Sequence, residues 1–321
     1  MHPMLSALAV LAMALMPAAA MAAEDKEVTI DGGKAPLHGA LLAPDKAPAG
    51  AAVLIIAGSG PTDRDSNSAI PGVKPNTLKM LAQGLASRGI TSLRIDKRGV
   101  GASGPALTSE ADLTFGALVN DVVAWARFLH AQSGVRCVVL IGHSEGALLA
   151  AMAASRVETC GVVSISGSGR PAADLLNEQI KAQPMPEDLR AQFLDGIAQL
   201  RAGRRIADVQ PQLMSLLRPS VQPYMISWLP IDPAAELARV KAPVLVMQGT
   251  TDLQVTVEDA RLLAKARPDA RLLLLDGVNH VLKPAPADPQ AHAATYADPN
   301  LPLDPRVVPA VVNFVKASGG R

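Results

Sequence analysis

The chain has 321 residues, 49% hydrophobic and 18% charged, with 30 Lys plus Arg against 29 Asp plus Glu for a formal net charge of +1. That length holds one large domain or two small ones with a sizeable core, and that composition excludes disorder as the main state. Balanced charge and an aromatic content of 2% leave neither the basic face nor the stacking rings of a nucleic-acid binder.

In chain order, the first element is the apolar stretch 5–16, followed by Pro17 and Ala18-Ala19-Ala20-Met21-Ala22. It resembles a secretory signal peptide, with Ala20-Met21-Ala22 as the A-x-A site and cleavage expected after Ala22, although its n-region holds His2 and no Lys or Arg. Twelve residues rise about 18 Å as a helix against a hydrocarbon core about 30 Å thick, so no stable membrane anchor is expected. The mature chain is expected in the periplasm or outside the cell. An ordinary N-terminal helix is the competing reading of this segment.

From residue 23 onward, short apolar runs alternate with helix-length segments, the pattern of an α/β domain with a mostly parallel sheet. Residues 28–30 and 37–42 predict a leading hairpin, 51–57 a buried strand, 77–88 a helix closed by Gly89, and 90–95 a strand. A helix over 113–131, a strand over 136–141 and a helix over 144–156 follow. Strands over 160–166, 243–248 and 270–275, a helix over 255–266 and a closing helix over 304–317 complete the pattern. Between 171 and 239 no β-branched run appears, and helical segments such as 187–201 are separated by Pro or Gly. An excursion that long between two strands predicts a helical lid rather than ordinary surface helices. Residues 284–305, rich in Pro, Ala and Asp, read as an ordered surface loop. The expected organisation is a leader at 1–22, a core from 23–170 and 240–321, and a lid at 171–239.

Cys137 and Cys160 each open a β-rich run. If those runs are neighbouring parallel strands, their starts lie about 4.8 Å apart, within reach of a disulfide that an exported chain would form. Two buried thiols are the alternative.

Gly142-His143-Ser144-Glu145-Gly146 matches G-x-S-x-G between a predicted strand and a predicted helix, which makes Ser144 the candidate nucleophile. A serine hydroxyl needs a base, itself oriented by a third group. Among the six histidines, His280 stands just after the last predicted strand, and so on the same carboxyl edge of the sheet as Ser144. His2, His38, His130, His143 and His292 are placed less suitably. Asp252 follows the preceding strand and reaches that edge too, giving the order Ser, Asp, His. Asp276 is the rival acid, but it lies four residues before His280 and ends the strand. Gly58-Ser59-Gly60-Pro61 closes the strand over 51–57, so the Ser59 and Glu145 N–H groups are candidate donors to an oxyanion. The phosphate-loop patterns are absent after that strand. Asp63, Arg64, Asp65, Asp96, Arg98 and the Glu145 side chain read as braces for these loops.

Together these residues resemble the α/β-hydrolase superfamily over nearly the whole mature chain. The stretch Ala57-Gly58-Ser59-Gly60-Pro61-Thr62-Asp63-Arg64-Asp65 is similar to the oxyanion loop of a group of bacterial serine carboxylesterases in it. Asp96-Lys97-Arg98-Gly99-Val100-Gly101-Ala102-Ser103 is similar to the family's D-x-R-G-x-G-x-S turn, and Asn279-His280 to its histidine loop. Ala57 stands where the H-G-G-G lipase form has its leading His. The resemblance implies a mostly parallel eight-stranded α/β-hydrolase sheet flanked by helices, with the lid between strands 6 and 7. It also implies a cofactor-independent serine hydrolase acting on a small-molecule ester through an acyl-enzyme. No H-E-x-x-H occurs and two cysteines cannot make a zinc cluster, so no metal is expected. The runner-up is a serine aminopeptidase-like enzyme holding a substrate amine with lid carboxylates, for which Glu178, Glu187, Asp188 and Asp195 are candidates. A catalytically silent binding protein on the same fold is the third reading.

Overall fold

The computed structural model describes residues 24–44, 50–181, 183–286 and 288–319, and the expected leader at 1–22 lies outside them. The leading hairpin is β1 (Asp25–Ile30) against β2 (Leu37–Leu42), antiparallel with Ile30 opposite Leu37. The other strands are β3 (Gly50–Ile56), β4 (Ser92–Ile95), β5 (Val135–His143), β6 (Gly161–Ile165), β7 (Val244–Gly249) and β8 (Arg271–Leu275). Among the described residues these eight strands form one sheet in the order β1-β2-β4-β3-β5-β6-β7-β8. β2 meets β4 antiparallel, and every pair from β4 across to β8 is parallel.

Period-two alternation explains why the central strands are apolar throughout. Leu54 and Ile56 of β3, with Val138 and Leu140 of β5, face one core layer, while Val53 and Ile55, with Val139 and Ile141, face the other. The second layer is closed by α1 (Thr77–Ala86) and by a C-terminal helix. The first is closed by α2 (Phe115–His130) and α3 (Glu145–Ala154). In α2, Leu118, Val122, Trp125 and Leu129 recur at helical spacing on the buried face, and the Thr114 side chain caps the N-terminus by accepting from Ala117 N–H at 3.2 Å. α3 is small and apolar almost all round, which suits a helix buried on nearly every side.

Between β6 and β7 run α4 (Ala172–Lys181), α5 (Glu187–Arg201), α6 (Met214–Leu217), α7 (Gln222–Trp228) and α8 (Pro233–Ala238). Their Phe193, Ile197, Leu200, Leu217 and Leu237 belong to the same apolar layer as α2, so this insertion is continuous with the core. α9 (Val257–Ala266) separates β7 from β8 and starts on a capping box formed by Thr256 and Asp259.

The stretch 284–305 differs from the expected loop, because it contains α10 (Pro289–Ala297). Asp288 accepts from Ala291 N–H at 2.8 Å and Pro289 occupies the first turn, a start signal that outweighs the surrounding Pro content. α11 (Val307–Gly319) is the closing helix, burying Val311, Val312 and Val315.

Cys137 and Cys160 are joined by a disulfide, with Cα atoms 5.8 Å apart and a sequence separation of 23. It ties the start of β5 to the start of β6, and closing a loop of that size stabilises the fold by about 3 kcal/mol on chain-entropy grounds. The native protein is therefore expected to resist alkylation until reduced, as read by intact mass. Cys137→Ser/Cys160→Ser should lose about 3 kcal/mol in chemical unfolding. Two thiols alkylated without reduction would contradict the bond.

Candidate active site

β5 ends at His143 and α3 begins at Glu145, so Ser144 alone makes the turn between them. Its backbone is forced to φ 55°, ψ −121°, a conformation that costs a residue with a side chain on the order of 1–3 kcal/mol. The surroundings hold it there. Ser144 N–H donates to Ile165 O on β6 at 2.9 Å, and Ala147 N–H returns to Ser144 O at 3.0 Å. The flanking glycines are at backbone contact: a Cβ on Gly142 would lie 2.0 Å from Gly146 O, and one on Gly146 would lie 2.4 Å from Ile56 O. The spacing of the motif is thus a packing requirement.

Asp252 follows β7 and His280 follows β8, so parallel strands deliver both to the edge that carries Ser144. His280 Nδ1 donates to Asp252 Oδ2 at 2.8 Å. That carboxylate also accepts from Gln248 Nε2 (3.0 Å) and from the N–H groups of Gln254 (2.8 Å) and Val255 (3.0 Å). Burial pushes the Asp252 carboxyl up, but His280 and the two backbone donors outweigh it and leave the group below the usual carboxylate range. With Nδ1 engaged, Nε2 of the neutral ring is the basic nitrogen. Ser144 and His280 line one cleft without a hydrogen bond between them among the described residues, a contact that commonly closes on the substrate. Asp276 is directed elsewhere, accepting from Thr250 Oγ1 at 3.1 Å.

The loop carrying His280 is built by its neighbours. Asn279 Oδ1 accepts from Val281 N–H (3.2 Å) and Lys283 N–H (3.1 Å), while Asn279 Nδ2 donates to Thr295 Oγ1 of α10 at 2.7 Å. His143 Nε2 donates to the His280 carbonyl at 2.8 Å, with the two rings 4.7 Å apart. Burial, reinforced by His280, pulls the His143 imidazole down to about 4, so it is neutral. Two other histidines lie away from the cleft: His38 pairs with Glu27 on the hairpin, and His292 is buried in α10.

The loop after β3 lies against Ser144: a Cβ on Gly58 would be 3.2 Å from Ser144 Cβ. Ser59 and Glu145 border the cleft with Ser144, and among the described residues neither N–H is donated to a protein acceptor. The expected braces do hold these loops. Asp96 accepts from Arg64 N–H (2.8 Å), Arg64 Nε (3.0 Å) and Ala102 N–H (3.0 Å). Asp63 accepts from the N–H groups of Asp65 (2.9 Å) and Asn67 (2.8 Å), and Arg98 Nε donates to Asp121 at 2.6 Å.

The cleft has two lobes meeting at Ser59, Ser144 and Gln254. One, about 90 Å³, is walled by Leu148, Leu175, Leu176, Trp228 and Val255. The other, about 110 Å³, is bordered by Thr62, Ser66, His280 and Tyr296. Sequence reasoning missed the apolar wall of the first lobe, and it missed Arg170, which borders that lobe with its guanidinium on Asp259 (2.9 and 3.0 Å). It also missed Lys97 and Tyr224, which meet the Glu145 side chain behind the cleft. No spacing links these positions, although a lysine inside an Asp-x-Arg-Gly turn was a usable signal. The four insertion carboxylates do not line the cleft: Glu178 is held by Arg170, Asp195 accepts from Gln199, Glu187 is near Arg190, and Asp188 is exposed. Among the described residues, no group of three or more His, Cys, Asp or Glu is arranged to hold a metal.

The alpha/beta hydrolase family matches residues 53–298, and the chain belongs to that family. It is 30% identical over 266 residues to esterase EstD of Thermotoga maritima, covering 81% of this chain and 60% of that relative's length. In structure it is similar to Est1E from Butyrivibrio proteoclasticus, with a TM-score of 0.59 at 16% identity over 91% of this chain and 98% of that one. It is also similar to esterase Pf2001 of Pyrococcus furiosus, with a TM-score of 0.57 at 19% identity over 93% and 92% of the two chains.

His143 generates a pH prediction. Its folded value of about 4 lies below the ordinary 6.5, so as pH falls the unfolded chain takes the proton first and stability drains between those two values. Urea unfolding should show the wild type losing about 2 kcal/mol more than His143→Gln between about pH 7.5 and about pH 5. Equal losses would show that this imidazole does not titrate as its burial requires.

Proposed function

We propose that the chain is a serine carboxylesterase cleaving esters of small to medium acyl groups. Ser144 Oγ attacks the ester carbonyl while His280 Nε2 takes its proton, and Asp252 holds the imidazole in the required tautomer and stabilises the imidazolium. The Ser59 and Glu145 N–H groups receive the developing oxyanion, a role worth about 3 kcal/mol for one donor. His280 then returns the proton to the leaving alcohol, and a water deprotonated by the same nitrogen releases the acid and restores Ser144. No cofactor enters this sequence.

The observation that carries the reading is the 2.8 Å Asp252–His280 hydrogen bond in a cleft whose wall also holds the strained Ser144. The leaving oxygen needs the His280 proton, so the alcohol occupies the lobe beside His280 and the acyl group the apolar lobe. The insertion between β6 and β7 serves as the lid by contributing Leu175, Leu176 and Trp228 to that apolar lobe. The similarity to esterase EstD supports ester hydrolysis, and none of the four insertion carboxylates borders the cleft, which favours it over amine recognition. The Cys137–Cys160 bond supports export to an oxidising compartment.

A fluorophosphonate probe should label the wild type and leave Ser144→Ala unlabelled. p-Nitrophenyl acetate and butyrate should be turned over in preference to aminoacyl nitroanilides. Asp252→Asn should lower kcat by about 10³- to 10⁴-fold with the fold intact. A wild type that neither labels nor hydrolyses would favour the silent binding protein, and preference for the nitroanilides would favour the peptidase.

A further inference from the structure

Lys97, in the turn after β4, is only 6% exposed, and its ammonium reaches two groups. It donates to the Gly58 carbonyl, and it lies 3.2 Å from Glu145 Oε1. The Tyr224 hydroxyl, on α7, donates to Glu145 Oε2. Burial and the Glu145 carboxylate push that phenol well above 10, so it stays a donor. A buried ammonium is costly unless paired and hydrogen-bonded, and here both conditions are met.

The Gly58 carbonyl and the Ser59 N–H are two ends of one peptide unit, and no cis peptide bond occurs among the described residues. In a trans peptide the two groups point in opposite directions. Lys97 approaches from a separate cavity of about 280 Å³, bordered by Gly60, Pro61, Glu145 and Tyr224, whereas Ser59 borders the cleft with Ser144. Holding the carbonyl back therefore aims the N–H forward, and an ammonium on the carbonyl oxygen polarises the amide into a stronger donor. Glu145, which anchors the ammonium by its side chain, supplies the second N–H of the same site.

We propose that Lys97 is a positioning residue for the oxyanion hole, orienting and polarising the Gly58–Ser59 peptide, and that Glu145 and Tyr224 hold its ammonium in place. The inference rests on the esterase reading. Because the negative charge appears only as Ser144 adds, the effect falls on the transition state rather than on ester binding.

The test compares wild type, Lys97→Met, Lys97→Arg and Tyr224→Phe on a p-nitrophenyl ester and on an alkyl trifluoromethyl ketone. Ser144 Oγ bonds to the ketone carbon, the carbonyl π pair moves to oxygen, and His280 keeps the serine proton, so the adduct presents the oxyanion. Lys97→Met should lower kcat about 30-fold with KM nearly unchanged, and should raise the ketone Ki by the factor lost in kcat/KM. Lys97→Arg, which keeps the charge, should recover most of that loss. Tyr224→Phe should lower kcat about threefold with a matching rise in Ki, because Glu145, short of a donor, draws the ammonium off the carbonyl. A fall in kcat with Ki unchanged, or no effect of Lys97→Met, would overturn the proposal. If Lys97→Met does not fold, Tyr224→Phe decides it by whether the two constants move together. A wild type that neither hydrolyses the ester nor binds the ketone would refute the esterase reading and this inference with it.

Discussion

The close contact of three backbones is the constraint on which this site depends. The end of β3, the end of β5 and the first turn of α3 meet where Gly146 touches Ile56 O and Gly142 touches Gly146 O. A single methyl at either glycine would drive α3 away from the sheet and relax the turn that lifts Ser144. With the methyls absent, the first turn of α3 and the loop after β3 both border the cleft at Ser144. The strain at Ser144 is offset by ordinary packing nearby, since α3 buries Leu148, Leu149 and four alanines between the sheet and its neighbouring helices.

Around that contact, charged side chains fix the loops. Asp96 gathers the Arg64 backbone and guanidinium, Lys97 faces Glu145, Asp252 faces His280, and Asp259 receives Arg170. Such buried pairs add little net stability, because desolvation cancels most of the attraction. Each supplies direction instead: a carboxylate with two or three donors has essentially one orientation, and the loop attached to it inherits that orientation. Glu145 on α3 and Asp259 on α9 anchor their partner loops to helices, while Asp96 and Asp252 join loop to loop along the same sheet edge.

Much of this was legible in the sequence, for reasons that separate one residue from another. Strands buried on both faces read as aliphatic runs, so β3, β5, β6 and β7 were visible to within a residue or two. Ser144, Asp252 and His280 could be singled out because each lies within a few residues of the carboxyl end of an aliphatic strand. α10 was not seen, although Asp288 and Pro289 mark its start, because Pro and Ala nearby suggested irregular chain. Its support of Asn279 through Thr295 was invisible for the same reason. Lys97 and Glu145 meet where the turn after β4 faces the start of α3, and Tyr224 reaches them only because the insertion folds back over α2. A contact of that kind leaves no periodicity to read.

The insertion is bound to the core by aromatic contacts in a chain that has few aromatics. Phe115, at the start of α2, stacks on Trp228 with ring centroids 6.2 Å apart and lies 6.3 Å from Tyr224, and Phe115 N–H donates to Ser227 Oγ at 2.8 Å. Tyr224 and Trp228 are one helical turn apart on α7, with rings 5.5 Å from each other, so they share a face of the helix. Trp228 borders the apolar lobe beside Ser144, while the Tyr224 hydroxyl holds Glu145 behind it. A displacement of α7 therefore moves the wall of the apolar lobe and the support of the Glu145–Lys97 pair together. The shape of the apolar lobe and the charges behind Ser144 are thus mechanically coupled through α7, and the packing of α7 on Phe115 holds both.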